Sequence, residues 1–244
     1  MSQSLSRIFL LSHMRAYTSL LGHILGSHPQ INGYYEMQQG YTSVDDLTRQ
    51  EQEYARHDAL KPGSSYLFDK LLHNGYPLKL ETLSLADVTI LLALRQPEAA
   101  IKSIIKLFAD KNTNALYADP AEATHYYIRR LEQLAAFACR YPQRYYYFDA
   151  ELIRMDTGKM LATLGQWLRL NTPLSANYQH FSKTGVAGAG DTSPAIKSGT
   201  VLSTANPYPD VVLETGLLAQ ARQAYQECRQ QLVANALAHY QANN

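Results

Sequence analysis

A chain of 244 residues, 46% hydrophobic, 18% charged and with a formal net charge of +1, has apolar material for one ample domain and too little charge for a disordered or nucleic-acid-coating protein. Cys139 and Cys228 stand far apart without CxxC or Cys/His spacing, which counts against a disulfide framework or structural zinc site and fits a reducing, cytoplasmic setting. The apolar runs are far shorter than the roughly 20 residues of a membrane span, and the opening MSQSLSRIFLLSHMR lacks a long h-region, so no transmembrane segment or export signal is expected.

Arg7–Leu11 reads as a short apolar strand, followed by a loop from Ser12 and a helix over Thr18–Gly26 with Leu20, Leu21, Ile24 and Leu25 on one face and Thr18 as N-cap. Tyr66–Phe68 is a second strand, ending in Asp69-Lys70. Val88–Leu94 is apolar on both faces, as a central parallel strand is, and Pro97 then opens a helix over Glu98–Phe108. A long amphipathic helix over about 120–140 leads to a strand at Tyr145–Phe148. A late helix spans Asp156–Leu170, and a C-terminal helix over about 214–241 is placed to pack on the domain or on a partner. Between these helices, about 172–210 is dense in Gly, Ser, Thr, Asn and Pro and reads as a long functional or flexible loop. Strands alternating with helices imply one α/β domain over residues 1–244, a three-layer sandwich around a central parallel sheet.

In such sheets ligands bind beyond the carboxyl ends of the strands. Arg15, Thr18 and Ser19 follow the first strand at a helix N-terminus, where free N–H groups favour an anion. Lys70 follows the next, and Arg95 the third, with Ser103 two turns along the following helix. Three cations at one edge repel unless they share an anion, so a phosphate or sulfate ester is expected. A nucleoside triphosphatase loop would need GxxxxGK[ST], and Ser12–Ser19 has neither the glycines nor the lysine in place.

These motifs resemble the sulfotransferases that use 3′-phosphoadenosine 5′-phosphosulfate (PAPS). Arg15-Ala16-Tyr17-Thr18-Ser19 is similar to their first loop at the cation and both hydroxyls, with Tyr17 where the family has glycine; a tyrosine there must find an allowed conformation and aim its ring away. His28-Pro29 before a short strand and Glu36, Asp69-Lys70 as in the tyrosylprotein and carbohydrate branches, and Arg95-Gln96-Pro97 with Ser103 follow in family order. Gly190-Asp191-Thr192-Ser193 and Ile196-Lys197-Ser198-Gly199 resemble the cofactor-covering loop of bacterial members.

The resemblance implies a P-loop-like sulfotransferase fold with PAPS as donor and no metal. Arg15 and the 16–19 backbone would hold the 5′-phosphate, Arg95 and Ser103 the 3′-phosphate, and Ser193 and Lys197 would cover the donor. Lys70 would neutralise the transferring group, and Glu36 would take the acceptor proton. His73 is the backup base, His13 a less definite candidate and His28 a packing and turn residue; Tyr145–Tyr147 face core and rim alternately, as a strand requires, with stacking of one of them on adenine as the alternative. The acceptor is a saccharide or other hydroxylated small molecule, its pocket built by residues 37–64, 110–124 and 171–186. The alternatives are a nucleotide-binding protein of the same fold without turnover and a kinase-like phosphotransferase using Asp69 or Asp149 on magnesium.

Overall fold

The computed structural model describes residues 5–83, 87–110, 116–186, 190–191, 193–203 and 208–242. Six strands, β1 (Ser6–Leu11), β2 (Ile31–Asn32), β3 (Tyr66–Leu71), β4 (Val88–Leu94), β5 (Tyr146–Asp149) and β6 (Ala238–Tyr240), form one sheet in the order β2-β3-β1-β4-β5-β6. Every pairing is parallel, with Leu11 of β1 opposite Leu71 on one side and Leu92 on the other. β1 and β4 are apolar throughout because both sheet faces are covered.

Alternation along each strand splits the core in two. Ile8, Leu10, Leu91, Ala93 and Phe148 face α1 (Thr18–Gly26) and α6 (Thr157–Trp167), whereas Phe9, Leu11, Ile90, Leu92 and Tyr147 face α3 (Pro97–Ala109), α4 (Pro120–Arg140) and α7 (Thr215–Asn235). The three-layer α/β architecture is therefore observed. A short α5 (Leu152–Met155) follows β5, and α2 (Val44–Ala55) packs Tyr54 parallel to Tyr35, ring centroids 6.4 Å apart. Among the described residues no helix is long and apolar enough to cross a membrane.

Two expectations are corrected. The C-terminal helix does not run to residue 241: α7 stops at Asn235, Ala236 turns extended, and Ala238–Tyr240 joins β5 as an edge strand, with Leu237 N–H donating to the Tyr145 carbonyl at 2.8 Å. The open edge of β5 offers backbone partners that a continued helix would leave unmet. The N-cap of α1 is Tyr17 rather than Thr18, because Tyr17 holds the left-handed conformation (φ 56°, ψ 19°) from which the helix starts. In the loop region about 172–210, residues 187–189, 192 and 204–207, Thr192 among them, lie outside the described residues; Pro194–Ser198 forms a short 3-10 turn.

Candidate functional site

Buried side chains tie the carboxyl ends of β1, β3 and β4 together. Ser12 Oγ donates to the Ala93 carbonyl at 2.7 Å, and Arg130 donates to the Ser12 carbonyl at 2.8 Å and the Leu71 carbonyl at 2.6 Å. His13 is fully buried, with Nδ1 2.8 Å from the Met14 carbonyl and Nε2 3.0 Å from the Arg95 N–H, so geometry assigns the proton to Nδ1. Burial, with Arg95 and Arg130 close by, lowers its pKa to about 3. His13 thus pins the β1 loop to the β4 loop as a neutral ring.

Arg15 and Tyr17 both have positive φ, 64° and 56°, a costly region for side-chain-bearing residues. Tyr17 is held there by its ring, which lies 4.3 Å from the Arg95 guanidinium and 5.2 Å from that of Arg154, while its hydroxyl is 3.3 Å from Arg154 Nη1. The first turn of α1 carries no acidic residue, so its N–H groups remain a suitable anion site.

The cations converge on that turn. Arg15 Nε donates to Ser103 Oγ at 2.8 Å and its Nη1 meets Asp191 Oδ1 at 3.0 Å; burial works against the guanidinium charge, and Asp191 more than offsets it. Lys70, almost fully buried, donates from Nζ to Ser19 Oγ at 3.0 Å. Burial lowers its pKa, opposed by Glu36, Asp69 and Asp191. Arg95 donates from Nη1 to the Arg15 carbonyl at 2.7 Å, while its buried Nε has no hydrogen-bond partner among the described residues. Ser103 Oγ also lies 3.2 Å from the Tyr208 hydroxyl.

Among these groups the Asp191 carboxylate pairs with Arg15, as a bound anion would. Its own N–H donates to Ser19 Oγ at 2.9 Å, and Ser193 donates to it from backbone and hydroxyl, each at 3.0 Å. Gly190 (φ 139°) makes the approach feasible, since a Cβ there would lie 2.7 Å from Ser19 Oγ and 3.1 Å from Lys70 Nζ.

Glu36 reaches the same cavity from the other side. After β2 the chain turns at Gly33, whose φ of 86° and contact with the Phe68 carbonyl admit no side chain: a Cβ would lie 2.3 Å from that oxygen. The turn carries Tyr34 and Tyr35 into a small aromatic cluster and sends Glu36 into the cavity. Its Oε1 is buried without a hydrogen bond among the described residues, 3.8 Å from His73 Nε2. Burial raises the Glu36 pKa, against the pull of Lys70 and Arg130. Behind Lys70, buried Asp69 accepts from Tyr41 at 2.6 Å and from the Met37 and Lys70 N–H groups, and burial raises its pKa to about 7.

The structure therefore brings Arg15, Tyr17, Thr18, Ser19, Glu36, Lys70, Arg95, Ser103 and Ser193 to one cavity of about 540 Å3. Ala16 is buried beneath the loop, in the core on the α1 side of the sheet. Lys197 is exposed and outside the lining, its side chain passing Gly185. His28 ties to Thr172 as a turn residue, with Nε2 3.0 Å from its carbonyl, and His73 lines the cavity. Tyr145–Tyr147 do not line it; Tyr145 and Tyr147 are core, and Tyr146 stacks on Trp167 at 4.9 Å.

Asp191, Arg154 and Tyr208 also line the cavity and were not singled out as site residues in the sequence. Arg154 follows the carboxyl end of β5, so the strand-end rule was available to find it; no spacing signals Tyr208. Asp149, the other candidate metal carboxylate, is gripped by Arg229 through two bonds of 2.9 and 2.8 Å.

The sequence matches no family model and no curated relative. In structure the chain is similar to the sulfotransferase domain of the curacin biosynthetic pathway, with a TM-score of 0.60 and 16% identity over 93% of this chain and 99% of that one. It is likewise similar to the sulfotransferase domain of the Synechococcus PCC 7002 olefin synthase, with a TM-score of 0.61 and 16% identity over 92% and 95% of the two chains. A sulfotransferase from Alicyclobacillus acidocaldarius superposes with a TM-score of 0.50 and 16% identity over 95% of each chain. With its all-parallel sheet, flanking helices and strand-end cavity, the chain has the sulfotransferase fold.

Proposed function

We propose that the chain is a PAPS-dependent sulfotransferase that moves a sulfuryl group to a hydroxyl of a small-molecule acceptor. The observation that carries this reading is the junction of Arg15, Ser19, Lys70 and the α1 N-terminus, where the Asp191 carboxylate pairs with Arg15 and its N–H meets Ser19, with buried Glu36 in the same cavity. The residues present fit the donor: a carboxylate already stands in for a phosphate oxygen, and the buried Arg95 Nε is a donor in want of a partner. PAPS supplies the activated sulfuryl group.

Arg15, with the 16–19 backbone and the Thr18 and Ser19 hydroxyls, would hold the 5′-phosphate and stabilise charge on the leaving oxygen. Arg95 and Ser103 would bind the 3′-phosphate, and Ser193 would cover the donor. Lys70 would neutralise the transferring oxygens. Glu36 would accept the acceptor's hydroxyl proton as the oxygen–sulfur bond forms and the bond from sulfur to the phosphate oxygen breaks; the chemistry asks for in-line positioning and charge stabilisation rather than covalent help from the protein. Lys197, exposed and outside the cavity lining, would not cover the donor.

Tyr17 holds a left-handed conformation (φ 56°) that glycine adopts freely, which favours turnover over the reading as a binding protein only. The Arg229 grip on Asp149 speaks against the kinase-like alternative. Thermal unfolding tests the donor site. Adenosine 3′,5′-bisphosphate at 100 times its dissociation constant should stabilise the protein by about 2.7 kcal/mol, and ATP with magnesium should do less. Arg95→Ala should weaken the bisphosphate more than adenosine 5′-phosphate. No shift, or a preference for ATP, overturns the proposal.

A further inference from the structure

The cavity changes character along its length. Ser103 hydrogen-bonds Arg15 at 2.8 Å, but Leu107, one turn further along the same face of α3, and its neighbour Phe108 are apolar. On the facing side, Leu72 and His73 follow Lys70 at the end of β3, and Met14 precedes Arg15 at the end of β1; all three line the same cavity. Met14 and Leu72 are buried, held by Tyr126, whose hydroxyl accepts from the Met14 N–H and donates to the Leu72 carbonyl, each at 2.9 Å. Met14 and Leu72 are therefore fixed parts of the wall, while Leu107 and Phe108 stand half-buried on α3.

Glu36 and His73 meet on this wall at 3.8 Å. A saccharide sets a hydroxyl on almost every carbon, and each one desolvated against Met14, Leu72, Leu107 and Phe108 would lose its water without a replacement. An alcohol with one hydroxyl has no such loss. From this wall, and on the sulfotransferase reading above, we infer that the acceptor is an alcohol hydroxyl carried on an aliphatic or aromatic body, the hydroxyl turned to Glu36 and the body laid on Met14, Leu72, Leu107 and Phe108. Of the saccharide or other hydroxylated small molecule that the sequence suggests, this sets the saccharide aside.

The test uses the full chain with 35S-labelled PAPS and a panel of straight-chain alcohols from butanol to decanol, simple phenols, and mono- and disaccharides at equal hydroxyl concentration. The expected result is that kcat/KM rises with alcohol length, by about fourfold for each methylene until the wall is covered, and that saccharides fall at least about 100-fold below the best alcohol. Leu107→Asn should flatten the length dependence while the bisphosphate-induced rise in Tm is kept, which also shows the variant to be folded. Phe108→Asn provides the same reading should Leu107→Asn fail to fold.

A flat length series, or saccharides that react as well as alcohols, overturns the acceptor class. Bisphosphate stabilisation without transfer to any alcohol or phenol of the panel overturns it too, leaving the donor site standing. Absence of both bisphosphate stabilisation and transfer overturns the sulfotransferase reading and this inference with it.

Discussion

Glu36 and Asp191 are both buried carboxylates near Lys70, yet their surroundings pull them in opposite directions. Burial raises Glu36 above its ordinary value of 4.5, and Lys70 and Arg130 recover only part of that shift. Burial also pushes Asp191 up, but Arg15 at 3.0 Å and the donors of Ser193 more than offset it, so it stays charged well into acid. A base must be ionised to accept a proton, so turnover should rise with pH through a value above 4.5; Glu36→Gln should remove that limb and lower kcat by at least about 10², with bisphosphate affinity kept. An unchanged rate removes Glu36 from the mechanism. Asp191, in contrast, competes with the donor, because an incoming phosphate must take Arg15 from it. Asp191→Asn should tighten bisphosphate binding at neutral pH by about tenfold, roughly 1.4 kcal/mol, read by calorimetry. Weaker binding would mean that the carboxylate organises the site rather than fills it.

The elements that the sequence displays clearly are those whose residue types and burial agree. Val88–Leu94 has the bounds expected because it is covered on both faces, and Pro120–Arg140 has them because Asp119 caps its start by accepting from the Ala121 and Glu122 N–H groups. α2 was hidden: its buried positions are Asp46, Gln50 and Tyr54, at helical spacing but mostly polar, so no apolar stripe marks it. Its start does carry a signal, since Ser43 and Asp46 form a capping box. β6 was hidden for another reason. Ala, Gln and Leu favour helix, and only the bare edge of β5 makes the last residues extend. The candidate site divides likewise. Arg15, Lys70 and Arg95 sit at or just beyond strand ends, where the fold class alone directs attention, and Ser103 lies two turns along the helix that follows the last of them. Asp191 and Tyr208 arrive from a loop of no periodicity, and nothing in their spacing says which loop residues turn inward.

At the scale of the whole molecule, buried ionisable groups place opposed demands on folding as pH changes. His13, held neutral between the Met14 carbonyl and the Arg95 N–H, titrates near 3 when folded and at 6.5 when unfolded; His23, with Nδ1 at the Ser19 carbonyl, titrates near 4. The unfolded chain thus binds more protons at these sites, so their contribution is fully present above pH 6.5 and is lost as pH falls toward the folded values. Asp69, raised to about 7, and Glu36, also raised, act the other way: the folded state holds their protons more tightly, and stability is lost as pH rises toward 7. The wild-type profile between pH 4 and 7 is therefore a sum of opposing slopes, and a difference between two proteins isolates one of them. His13→Asn should be destabilised at pH 7 by loss of the pin between the two loops. Its deficit against wild type should shrink by about 1 kcal/mol for each unit of pH below 6 in urea unfolding, because one site pulling protons onto the unfolded chain has gone. A deficit that stays constant from pH 7 to 5 would mean that His13 takes up protons in the folded protein as it does in the unfolded chain, and the pin between the two loops would then not be a ring kept neutral by burial.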